Sequence, residues 1–182
     1  MLNIIAGSLS VGVTPSTTSY ESIATVTVGS GGASTITFSS IPATYTHLQI
    51  RFATTNDSTQ ATFFRLNGDT GSNYAYHYLY ANGSTVAASG GGGNTGMYIG
   101  NHGTTIPEAG VIDILDYTNT NKYKTTRTLS GNDTNNTNNT SLGLWSGLWQ
   151  NTAAVNSVTL YCGGSSNFAN YSIVALYGIK GS

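Results

Sequence analysis

The sequence predicts an all-β fold, an antiparallel jelly-roll-like β-sandwich with an extended N-terminal arm. Three observations predict it. Apolar residues recur with a period of two rather than 3.6 almost throughout the chain. Clusters of Gly, Asn and Asp cut the alternating runs into short segments, about ten of them, as in sandwiches. No stretch supports a long amphipathic helix, and Thr, Ser, Asn and Gly, 90 of the 182 residues, are all mediocre helix formers.

Residues 1–13 (MLNIIAGSLSVGV) are apolar but lack the basic flank and cleavage site of a signal peptide, and are too short and interrupted to span a bilayer. Residues 14–19 (TPSTTS) read as a linker. The division is therefore 1–19, arm and linker, and 20–182, one sandwich domain, with Leu2, Ile4, Ile5 and Leu9 as the residues that dock the arm on a partner. Over 20–28, Ala24, Val26 and Val28 alternate with Thr25 and Thr27. Over 34–38, Ile36 and Phe38 flank Thr37. Over 46–52, Leu48, Ile50 and Phe52 face one way and His47, Gln49 and Arg51 the other. Further strands are expected at 62–66, 74–80, 97–99, 111–117, 123–129, 142–150, 155–162 and 171–179. The last is apolar on both faces, which suits a central strand or one at a subunit interface. Asn67-Gly68 and Asn82-Gly83 are turn formers, the second a hairpin signal. The glycines at 90–93 and the Asn-rich tract at 132–140 read as loops.

Charge limits the function classes. Six Lys/Arg and seven Asp/Glu leave 7 % of residues charged, against about 25 % in an ordinary soluble domain. A net charge of −1 and a pI near 6.2 leave no electrostatic footprint for nucleic acid, and no segment marks a membrane partner. Lys122, Lys124 and Arg127 read as a solvated strand face. Glu21 and Glu108 are the only glutamates, and Asp113 and Asp116 have the odd spacing that puts them on opposite strand faces, so no carboxyl pair and no catalytic residue is assigned. His47, His77 and His102 stand on separate segments and read as surface or interface histidines; no metal ligand and no cofactor are expected. The loop at 67–73 offers too few carboxylates for calcium. Cys162, the single cysteine, is in phase with Val158 and Leu160 and reads as a small buried hydrophobe.

The aromatics carry more information. Tyr74, Tyr76, Tyr78 and Tyr80 form a ladder on one strand face, and Trp145 and Trp149 share a face of another. These six are candidate subunit-interface or glycan-contact residues, with ordinary core packing as the competing reading.

Segments 20–29 (YESIATVTVG), 40–51 (SIPATYTHLQIR) and 171–181 (YSIVALYGIKG) resemble a family of small β-rich virion structural proteins of tailed bacteriophages, particularly those of aquatic bacteria and cyanobacteria. The resemblance covers the body from residue 20 onward, and the opening MLNIIAG is similar as well. It implies a non-enzymatic virion component and brings no catalytic residues. The expectation is a capsid cement or decoration protein, assembled in the host cytoplasm. It would be a homotrimer bound to the major capsid protein or another virion protein. The alternative is a tail fibre or receptor-binding tip contacting host surface glycans.

Overall fold

Period-two patterning builds twelve strands in the computed structural model, which describes residues 19–132 and 141–181. They are β1 (Tyr20–Thr27), β2 (Thr35–Phe38), β3 (His47–Thr54), β4 (Gln60–Leu66), β5 (Tyr74–Ala81), β6 (Val86–Asn94), β7 (Met97–His102), β8 (Glu108–Leu115), β9 (Lys124–Asn132), β10 (Ser141–Trp149), β11 (Val158–Cys162) and β12 (Ile173–Ile179). The arm, with Leu2, Ile4, Ile5 and Leu9, and residues 133–140 of the Asn-rich tract lie outside the described residues.

Two antiparallel sheets form a β-sandwich. The larger runs β1-β12-β3-β8-β9-β10-β5-β6 and the smaller β2-β11-β4-β7. Four of the pairings are nested: β1 with β12, β2 with β11, β3 with β8 and β4 with β7. The remaining strands, β5–β6 and β9–β10, are hairpins inserted between β4 and β7 and between β8 and β11. They extend the large sheet beyond β8.

Alternation places the core as expected. Leu48, Ile50 and Phe52, Ile112 and Ile114, and Val174 and Leu176 face Ile36 and Phe38, Phe64 and Leu66, and Val158, Leu160 and Cys162 across the sandwich. Strand β12 is apolar on both faces because it lies between β1 and β3, where Ala175 is buried as well. Outside it, Tyr177 stacks on Tyr20 at 4.7 Å and Arg51 lies over both rings.

Three expectations change. The glycines at 90–93 are not a loop but part of edge strand β6, where chain without side chains passes close beside β5; a Cβ on Gly90 would stand 2.3 Å from the His77 ring. Lys124 is not solvated. It is in phase with the buried Thr126, Thr128 and Ser130, and its ammonium donates to the carbonyls of Asn119, Lys122 and Thr152 at 2.6–3.1 Å. Burial lowers its pKa. His102 is not at the surface but fully buried, stacked on Phe52 at 5.6 Å.

Candidate functional site

The tyrosine ladder and the tryptophans meet. β5 pairs with β10 so that Tyr74 opposes Trp149, Tyr76 opposes Gly147, Tyr78 opposes Trp145 and Tyr80 opposes Gly143. All point to the inner side of the large sheet. Large rings alternate with glycines because the rings need the space: a Cβ on Gly143 would stand 1.9 Å from the Trp145 ring, and one on Gly147 would meet Thr126 and Met97.

The ladder divides in two. Tyr74 and Trp149 do not serve as contact aromatics at a surface: both are sealed in the core, at 0 % and 1 % exposure. Their rings stack 6.4 Å apart, the indole N–H donates to Asp69 Oδ2 at 2.7 Å, and the Tyr74 hydroxyl donates to the Asp69 carbonyl at 3.1 Å. Asp69 also accepts from the Gly71 and Asn73 nitrogens, so the 67–73 loop uses its carboxylate to brace the core. Tyr76, Tyr78 and Tyr80 extend past the small sheet and are half-buried.

There the edge strand β7 leans over them. Tyr98 meets Tyr78 and Trp145 edge-on, each at 5.9 Å between ring centres. Beside it opens a cavity of about 260 Å3, whose walls include Tyr78, Tyr80, Tyr98, Trp145, Asn101 and Glu108. Its position follows from topology: the four strands of the small sheet end at β7, while the large sheet continues under it through β9, β10 and β5.

Glu108 is the acid of this cavity and is 2 % exposed. It opens β8 opposite Thr54 of β3. Its Oε1 lies 2.7 Å from the Ser130 hydroxyl, which also lies 3.0 Å from the Ile99 carbonyl. One hydroxyl hydrogen cannot serve both acceptors fully. Burial outweighs the Ser130 hydrogen bond and raises the carboxyl pKa to about 7. Protonated, Glu108 donates to Ser130 and frees that hydroxyl for Ile99.

Three buried polar atoms have no hydrogen-bond partner among the described residues: Glu108 Oε2, Trp145 Nε1 and His102 Nε2. His102 shares the neighbourhood. Its Nδ1 lies 2.7 Å from the Thr54 hydroxyl, and a Cβ built on Gly100 would stand within 3.6 Å of the His102 ring, Ser130 Oγ and Glu108 Oε1 alike. Burial alone pushes the imidazole pKa down to about 3, so the ring is neutral. The cluster therefore offers one carboxyl that titrates near neutrality, an unpaired indole N–H and walls of aromatic rings packed tilted and edge-on.

The sequence singled out Tyr78, Tyr80 and Trp145, and the structure brings them together. By sequence Glu108 is set aside as lacking a carboxyl partner and His102 reads as a surface or interface histidine, while Tyr98 and Asn101 are not singled out. For Glu108 a signal existed: the residue is in phase with Ile112 and Ile114, so a strand begun three residues earlier than 111 carries the acid on the core face. Tyr98 gave none, because it alternates out of phase with the buried Met97 and Ile99; it pairs with Phe63 beside a break in register and packs against Tyr78 and Trp145 from the edge strand. No protein-family model matches the chain, and no curated protein matches it.

Proposed function

We propose that this protein is a non-enzymatic structural component of a tailed-phage virion, a capsid decoration protein of jelly-roll topology that associates as a homotrimer. One observation carries the assembly part: the outer face of the large sheet is patterned for burial. Leu79, Leu144, Leu129 and Val111 stand in register across β5, β10, β9 and β8. In the next row Val86, Ala81, Leu142, Ala109, Ala53 and Ile173 follow one another across the sheet, broken only by Gly131. Leu142 is 58 % exposed and Val86 72 %. A contiguous apolar face of this kind marks a protein interface.

The pattern of β9 supports the same reading. It turns Lys124, Thr126, Thr128 and Ser130 inward and carries Leu129 outward beside Thr125 and Arg127. Low charge agrees, since few charges are left to be desolvated when copies pack together. The nested pairs β1–β12, β2–β11, β3–β8 and β4–β7 support the jelly-roll reading: a long antiparallel ribbon rolled into two sheets, with two hairpins inserted. The virion assignment rests on the three segments that resemble phage structural proteins. They map to β1, β3 and β12, three adjacent strands at one side of the large sheet.

Gold-labelled antibody on intact virions, with a mass measurement of the isolated protein in solution, tests the proposal. Label over the capsid shell and a trimeric mass are expected. Label confined to the tail moves the protein to a fibre or receptor-binding tip, and a stable monomer refutes the trimer.

A further inference from the structure

We propose that the cavity beneath Tyr98 is a binding site for a single pyranose ring that presents adjacent hydroxyl groups. The proposal stands on the walls and the unpaired atoms, and holds wherever on a virion the protein sits.

Size comes first. At about 260 Å3 the cavity lies just below drug-sized sites, about 300–1,000 Å3, so it suits one ring rather than a chain. It far exceeds the space of one bridging water, about 30 Å3. Chemistry then narrows the class. The Trp145 indole N–H needs an acceptor, and Glu108 Oε2, once ionised, needs a donor. A hydroxyl is both, and two neighbouring hydroxyls on one ring answer both demands. The exposed Asn101 amide at the rim can donate and accept in the same way. Tyr78, Tyr80 and Tyr98 supply flat apolar walls for the C–H face of a sugar.

Three simpler ligand classes each leave at least one of these groups unmet. An ammonium ion would suit the carboxylate and the rings but offers the indole no acceptor. An anion would meet the indole and be repelled by Glu108. A hydrocarbon would satisfy neither. Gly100, at φ 141°, adds a further mark of a shaped site: any side chain there would project to within 3.3 Å of Glu108 Oε1. Both unpaired atoms are buried, so side chains of the cavity wall must move before a hydroxyl reaches them, and relief of the two unmet hydrogen bonds favours that movement.

The test uses the methyl glycosides of glucose, galactose, mannose and N-acetylglucosamine at millimolar concentration, above pH 7. Saturation-transfer NMR on the full chain reads binding. At least one of the four is expected to receive transfer. Glu108→Gln and Trp145→Phe, each checked for a native far-UV spectrum, are expected to weaken that glycoside roughly tenfold or more, the loss of one hydrogen bond to a buried polar group. Tyr171→Phe, at a residue 79 % exposed, is expected to leave binding unchanged. Transfer to none of the four overturns the proposal. Transfer that survives undiminished in both cavity variants overturns it too, by placing the sugar elsewhere.

Discussion

Glu108 and His102 lie in one buried cluster, yet burial drives their titrations in opposite senses, and this makes Glu108→Gln a discriminating perturbation. Between its ordinary value near 4.5 and about 7, Glu108 keeps its proton in the folded protein and loses it in the unfolded chain. Its contribution to stability is therefore complete below pH 4.5 and is lost as pH rises through 7, by about 1.4 kcal/mol per pH unit and roughly 3 kcal/mol in all. His102 runs the other way. Its folded pKa is about 3 against an ordinary 6.5, so its contribution is complete above pH 6.5 and is lost as pH falls. From pH 4.5 to 6.5 the two slopes cancel, and the native protein should be nearly indifferent to pH there. Glutamine keeps the hydrogen bond to Ser130 but cannot titrate. The variant should match the native protein near pH 4.5 and become progressively more stable than it, by about 1.4 kcal/mol per unit and up to roughly 3 kcal/mol above pH 7. Urea unfolding of both proteins at pH 4.5, 5.5, 6.5 and above 7 measures this. Carboxylates held low elsewhere, such as Asp57 by Ser166 and Asp116 by Lys122, are common to both proteins and drop out of the difference. A difference that stays constant across that range would show Glu108 titrating as an ordinary exposed acid, and the burial argument would fail.

Three further substitutions probe the framework. Gly143→Ala forces a methyl group into the Trp145 ring and should cost about 1–3 kcal/mol in urea unfolding, the range for overpacking; a neutral result would mean that the ring has another place to go. Lys124→Ala strips a buried ammonium from three carbonyls and should cost roughly 2–4 kcal/mol, read as a fall in melting temperature, whereas a change of a few tenths would return the residue to the solvated face expected from sequence. Leu144→Asp places a charge at the centre of the outer apolar face, 50 % exposed at present. It should leave the melting temperature of the subunit nearly unchanged while shifting the solution mass to monomer, and an unaltered oligomer would remove that face from the interface.

The sandwich was legible because one face of most strands follows a simple rule. Leu48, Ile50 and Phe52 alternate with His47, Gln49 and Arg51, and burial sorts them accordingly. What escaped prediction lies where that rule has no purchase. A glycine run carries no alternation to read, and whether it pairs as a strand depends on β5 lying beside it. Lys124 sits where the sequence shows a basic cluster, and only the carbonyls of three separate backbone positions, brought together by the fold, make its burial tolerable. The aromatic ladder was visible, but its partition was not. Tyr74 and Trp149 are sealed in the core under the small sheet, whereas Tyr78 and Trp145 lie at its margin under Tyr98 of β7, Trp145 6 % exposed and Tyr78 half-buried.

The inserted hairpins therefore do more than widen a sheet. At the margin of the small sheet their inner face carries hydroxyls and tyrosines in place of a hydrocarbon core, with Glu108 of β8 beside them. Their outer face carries the leucines instead. An isolated subunit gains little from leucines in water, since an apolar side chain is stabilising only when its surface is removed from solvent. Their alignment in register across β5, β10 and β9, continued by Val111 of β8, is a pattern that covering by another surface would turn into binding energy. The same inversion leaves the inner side open to a ligand. On this reasoning the two faces of the extension are separable: Leu144→Asp should abolish association without touching the cavity, and Trp145→Phe should weaken sugar binding without changing the oligomer. If either variant changed both properties together, cavity and interface would be one site, and the division of labour between the faces would be wrong.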